Sequence, residues 1–231
     1  MANEQYMNFP ISLLCGFMTD HQTSLSDMLL YHLYTSSLLL EHGCDIDQFK
    51  AACEFYGVDV TDNKQSMLKG KAIYEKHHTG TPKAGLNFPK YWEFRSDYKT
   101  DFEKVCLLAF LALKSILGKK PYMKVTNDFL LARMDGKSKA CNKESLSPEI
   151  LKYATEHQTK KIKNALVLNG WGLVTYSRHT RGFYISFKLT LEDLIFEAEK
   201  KRESSKVKQL KIDTENARAK AMARLQNIRS P

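Results

Sequence analysis

The stretch Gln158-Thr-Lys-Lys-Ile-Lys-Asn-Ala-Leu-Val-Leu-Asn-Gly170, running directly into Trp171-Gly-Leu-Val174, decides how this chain is read. Ile162, Ala165 and Leu166 continue a face begun at Ile150, Leu151 and Ala154, which is helical spacing, with a kink or break near His157 left open. Asn169-Gly170 ends that helix. From Gly172 the apolar period shortens to two. Leu173–Ser177 and Phe183–Leu189 read as two strands. The second puts Phe183, Ile185, Phe187 and Leu189 on one side and Tyr184, Ser186 and Lys188 on the other. Arg178-His-Thr-Arg-Gly182 is the turn between them, with Gly182 supplying any positive φ. If Ile162, Ala165 and Leu166 are buried, Thr159, Lys160, Lys163 and Asn164 point outward, with Lys161 in the same basic run.

Upstream, Asp101–Leu117 is the strongest helix, striped by Val105, Leu108, Ala109, Ala112, Leu113 and Ile116. Gly118 ends it and Pro121 blocks its continuation. A short helix follows at Asn127–Met134, capped by Thr126 and stopped by Gly136. Gly136–Ser147 is a polar, basic loop that includes Lys137 and Lys139, and Pro148 opens the next helical turns. Downstream, Thr190 and Asp193 form a reciprocal cap over Leu191, Leu194, Ile195 and Ala198. Beyond Lys200 a weak seven-residue repeat, Val207, Leu210, Ala217, Ala221 and Ile228, leaves a solvated helix, a short coiled coil and a frayed tail open.

The order long helix, short helix, loop, helix and hairpin over about 90 residues resembles the winged helix-turn-helix superfamily. Three stretches carry the likeness: Thr126–Gly136 as second helix, Gln158–Gly170 as recognition helix, and Gly172–Leu189 as wing. The long Gly136–Ser147 loop departs from the usual tight turn. The resemblance implies a mainly α (α+β) fold and double-stranded DNA as partner. A helix of this kind enters the major groove, where Asn164 matches an adenine edge and Lys160, Lys161 and Lys163 reach guanine acceptors or phosphates. Arg178, His179 and Arg181 would lie at the wing tip beside the backbone, and Lys137 and Lys139 extend the basic surface.

Charge divides the chain unevenly. Residues 1–96 carry a net of −3 and residues 97–231 a net of +12, out of a total of +9. Only the second half has the field of a polyanion binder. The first half reads as helices at 25–42, 47–56 and about 61–77, a turn or hairpin at Thr79–Pro89, and a strand at Lys90–Arg95. This order is loosely similar to tandem winged-helix replication initiators of plasmids and phages. An all-helical cap without duplication reads equally well. Its acidic balance suits a homodimer contact or a host protein better than DNA. The expected organisation is a helical segment 1–96, a DNA-binding segment 97–199 and a basic tail 200–231. A cut between about Lys90 and Lys99 is expected to leave a folded C-terminal piece.

Catalytic constellations are missing from the sequence. It holds no G-x-x-x-x-G-K-[ST] and no G-x-S-x-G. Adjacent His77 and His78 cannot share a metal from one helix face, and Arg178-His-Thr-Arg181 lacks the spacing and tyrosine of a recombinase. Five cysteines without a C-x-x-C read as buried thiols. The expectation is a protein without enzymatic activity, metal or cofactor. No apolar run reaches the ~18 residues of a membrane span, and the N-terminus lacks the positive start of a signal, so the expected location is cytoplasmic. Two functions fit: a DNA-binding transcription regulator or mobile-element replication initiator, and a winged helix used for protein contact. Salt dependence of binding separates them.

Overall fold

A computed structural model of the chain describes residues 5–39, 45–178 and 182–229, with side chains as far as residue 220. The fold is mainly helical with two small antiparallel sheets. In the first half, strand β1 (Tyr6–Pro10) leads into a 3-10 turn at Ile11–Leu14 and helix α1 (His21–Ser37). Asp20 caps α1, its carboxylate accepting from Thr23 N at 3.0 Å, so the helix starts four residues before the expected Leu25. Residues 40–42, where that helix was expected to end, lie outside the described residues. Helix α2 (Ile46–Tyr56) has Asp45 and Gln48 as a reciprocal cap and ends at Gly57 with φ +63°. Helix α3 (Asn63–His77) starts at Asp62.

Helix α3 packs on α1 across Gly70. A methyl group there would stand 2.8 Å from the Leu30 carbonyl oxygen and 3.0 Å from Tyr34 Cβ. Gly70→Ala gains about 1 kcal/mol of helix propensity, yet must push two helices apart, at about 1–3 kcal/mol. The expected result is a net loss of stability and a melting temperature lower by a few degrees. A rise in melting temperature would show that the α1–α3 crossing has slack.

Two expectations for 79–95 are corrected. Strand β2 (Lys83–Asn87) pairs with β1 rather than within a local hairpin, in the register Tyr6↔Asn87 and Phe9↔Ala84. Phe88–Ser96 is helix α4, not a strand. Asn87 Oδ1 accepts from Lys90 N at 3.2 Å, Pro89 occupies the first turn, and Phe88, Tyr91 and Phe94 are buried three apart. The alternating aromatics satisfied both periods, and the cap decided for the helix. The strand and turn that would make this half a second copy of the same plan are therefore a strand and a helix.

The half also buries His32, whose ring stands edge-on to Tyr56 at 4.6 Å. Its Nδ1 accepts from Asn8 N at 3.4 Å. Burial holds its pKa down at about 4, against 6.5 for a free histidine. Between those values the unfolded chain binds the proton and the folded chain does not. Stability is therefore full above pH 6.5 and falls by roughly 3 kcal/mol as the pH drops to 4, then levels. Urea titrations from pH 7 to 4 check this, with His32→Gln expected to flatten the fall. An equal slope in both proteins would assign the acid sensitivity elsewhere.

In the second half, Asp101–Leu117 forms α5 with a Thr100/Glu103 reciprocal cap. Strand β3 (Met123–Val125), helix α6 (Asn127–Met134), helix α7 (Pro148–Leu151) and helix α8 (Glu156–Leu168) follow. The helical face read through Ile150 to Leu166 is thus interrupted before the Thr155 cap of α8. Strands β4 (Val174–Tyr176) and β5 (Phe183–Ser186) complete a sheet in the order β3-β5-β4. Val125 faces Phe183, and Tyr176 faces Tyr184. Strand β5 stops before Phe187 because the Ser186 hydroxyl turns the chain. That hydroxyl donates to the Pro121 carbonyl at 2.7 Å and accepts from Lys188 N and Leu189 N.

Helix α9 runs Leu191–Arg229 from the expected Thr190/Asp193 cap. Leu194 and Ala198 seat it on the sheet. Helix α5 is the centre of the molecule. Leu107, Leu108, Ala109, Leu111, Ala112 and Leu113 are all fully buried, while Phe110 and Lys114 are half-buried and the first turn is exposed at Asp101 and Glu103. It packs against β2 and the 11–14 turn as well as against α6, α8 and β5, and one apolar core runs from Met7 to Ile185.

Candidate functional site

Helix α8 stands on Thr159, Ile162 and Leu166, each buried. Thr159 thus points inward, against the sequence-based expectation. Its hydroxyl donates to the carbonyls of Thr155 and Glu156, both at 3.0 Å, which satisfies the one polar atom the burial would strand. Starting the buried stripe one turn earlier than Ile162 also turns Lys163. Its ammonium sits 4.2 Å over the Phe183 ring and 3.3 Å from Asn127 Oδ1, and burial lowers its pKa. Lys163 is therefore a bracket between α8, the sheet and the start of α6, not part of the outward face.

The outward face is His157, Lys160, Lys161 and Asn164, all exposed. Lys161 rests its ammonium 4.7 Å over Phe102, a contact that leaves its head in water. Val167 and Leu168 lie exposed at the C-terminal end of α8, Leu168 at 79%, and Leu151 is exposed at the end of α7.

The wing residues divide. His179 and Arg181 lie outside the described residues. Arg178 is exposed but ion-paired, its guanidinium 2.8 Å from Glu199 of α9. The same carboxylate accepts from the Tyr176 hydroxyl at 2.8 Å and lies 3.5 Å from Arg202. The Tyr176 hydrogen bond first, then Arg178 and Arg202, hold Glu199 below the usual carboxylate range. This contact clamps β4 to the long helix.

In the loop, Lys137 is 2.8 Å from the buried carboxylate of Asp135 and also bonds the Ser145 carbonyl. Asp135 in turn accepts from Ser147 N at 3.1 Å. Lys137 is thus the counter-ion that shapes the loop, and the hydrogen bond to Asp135 raises its pKa. Lys139 is exposed. Arg133, read only as part of the short helix, is buried and donates to Ser115 Oγ at 3.0 Å and to the Ser138 carbonyl at 3.1 Å. It fixes where the loop leaves α6.

Sequence reasoning missed a cleft of about 280 Å³ between the sheet and α9, lined by Lys124, Arg178, Tyr184, Glu199, Lys201 and Arg202. Its strand β3 has three residues, too few to show a period. The Glu199/Arg202 spacing, three apart on a helix, was the only local signal.

No protein-family model matches the chain, and neither a curated protein nor a solved structure resembles it at a significant level.

Proposed function

We propose that the chain binds double-stranded DNA through residues 101–189 used as a winged helix, as a transcription regulator or a replication initiator of a mobile element. The observation that carries this reading is the exposed face of α8. Lys160, Lys161 and Asn164 project from a helix whose opposite side is fixed by three buried residues. Such a face presents cations for phosphates and one amide with donor and acceptor for a base edge. The order α5, β3, α6, the short α7, α8, β4 and β5 supports the same reading, as does the +12 charge of residues 97–231.

The test is a gel shift on random duplex DNA at two salt concentrations, followed by site selection. Binding should weaken with salt by about 0.9 in log K per log unit for each phosphate contact. Failure to bind any duplex at low salt overturns the proposal. A second reading, protein contact through the same module, draws on exposed Val167 and Leu168 at the C-terminal end of α8. It expects a partner whose affinity barely responds to salt.

A further inference from the structure

We infer that α9 beyond Lys200 is an arm that lies in the major groove of the duplex bound by the body, rooted in the cationic cleft beside the wing. The inference rests on the duplex-binding reading above and adds a second contact element to it. Residues 203–220 are exposed on every side. A largely polar helix whose few apolar residues, Val207, Leu210 and Ile212, stay exposed has no fold-internal reason to persist unless side-chain pairs or a partner support it. Among the described residues, no cation after Arg202 forms an ion pair, and Gln209 to Asp213 at 2.9 Å is the one side-chain bridge along this stretch.

The composition identifies the partner. From Lys200 on, ten basic residues stand against three acidic ones. At about 100° per residue, Arg202, Lys206 and Lys220 fall on one side of the helix. Lys200, Lys211 and Arg218 fall on another, roughly 150° around, and Lys201 and Lys208 fall on the side away from Val207 and Leu210. Cations on two opposed sides match the two phosphate rails that flank a helix in a major groove. A second copy of the arm is disfavoured, because the weak apolar seam through Val207 and Leu210 continues in Thr214 and Ala217 and is bordered by like charges.

The root fits the same partner. Lys124 and Lys201 face the cleft with no ion pair among the described residues, while Glu199 neutralises part of Arg178 and Arg202. The clamp of Glu199 on Tyr176 and Arg178 fixes where the arm leaves the wing. From there, 30 residues of helix extend about 45 Å, the length of about 13 base pairs.

The experiment uses the full chain and a full-length variant with Lys206→Gln, Lys208→Gln, Lys211→Gln, Arg218→Gln and Lys220→Gln. Glutamine keeps helix propensity and removes charge. Both are titrated with 15- and 30-base-pair duplexes over a salt series, with melting temperature and sedimentation measured alongside. The expected result is an unchanged melting temperature and a salt slope shallower by about 3–4 in the variant. Affinity for the longer duplex should drop on the order of 100-fold, and the gain from 15 to 30 base pairs should be lost. Equal slopes in two proteins that both bind duplex overturn the arm and leave the binding reading standing. Failure of both proteins to bind overturns the two together. A change from dimer to monomer in the variant assigns the helix to a second copy and overturns the arm.

Discussion

Residues 97–199 expressed alone should fail to unfold cooperatively, although the sequence alone suggested that a cut near residue 97 would leave a folded piece. The reason lies in α5. Ten of its side chains are buried, and the helix is covered by β2 and the 11–14 turn on one side and by α6, α8 and β5 on others. Removing residues 1–96 takes away the first cover. Exposing even four leucine-sized side chains costs about 6–12 kcal/mol, which matches the whole stability of a typical domain. Trp171 also loses its neighbours Phe94 and Lys90, the latter with its ammonium 4.6 Å over the indole. Gly136, at φ +74°, loses its seat against Cys15 and Ile11. Urea melts followed by circular dichroism, with dye binding to exposed apolar surface, measure this. A sharp transition without dye binding in the fragment would show that the two halves hold separate cores.

Part of this architecture is written locally in the sequence and part is not. The helix bounds at Asp101–Leu117 and Asn127–Met134 were legible because capping side chains and terminal glycines mark them locally. Strand pairing was not. The partner of β2 is β1, some 77 positions away, and no local pattern encodes such a choice. The wide burial of α5 was half legible. Its stripe at Val105, Leu108 and Ala112 stood out, but Leu107 and Leu111 off that stripe signal a buried face far wider than one stripe. The same blindness affected the candidate site. Threonine counts as polar in a pattern, yet Thr159 hides its hydroxyl in its own helix and becomes a core residue. Lysine counts as solvated, yet Lys163 lies along an aromatic ring and Lys137 pairs with a buried aspartate. A charge count weighs these two equally with Lys160, whereas the structure ties them down.

That distinction makes the last expectation sharp. Asn164→Ala should cost about 1–3 kcal/mol on a selected DNA site, a loss of about 5- to 150-fold, and far less on random duplex. The Asn164 amide is exposed on the face opposite Ile162 and Leu166, where it offers one donor and one acceptor to a base. Lys160→Ala should weaken both duplexes alike and lower the salt slope by about one, as loss of one phosphate contact does. Lys163→Met provides the internal control. Its ammonium lies over Phe183 and beside Asn127, so methionine fills the same space against the ring and removes a half-buried charge. The salt slope of Lys163→Met should equal that of the parent chain, and its stability should change by less than about 1 kcal/mol. If Lys163→Met lowers the slope as Lys160→Ala does, α8 is rotated toward DNA on its other side. If Asn164→Ala leaves the ratio of selected to random affinity unchanged, α8 does not read sequence. The contacts that remain would then be those of a phosphate-bound helix, with specificity carried by the DNA's own shape.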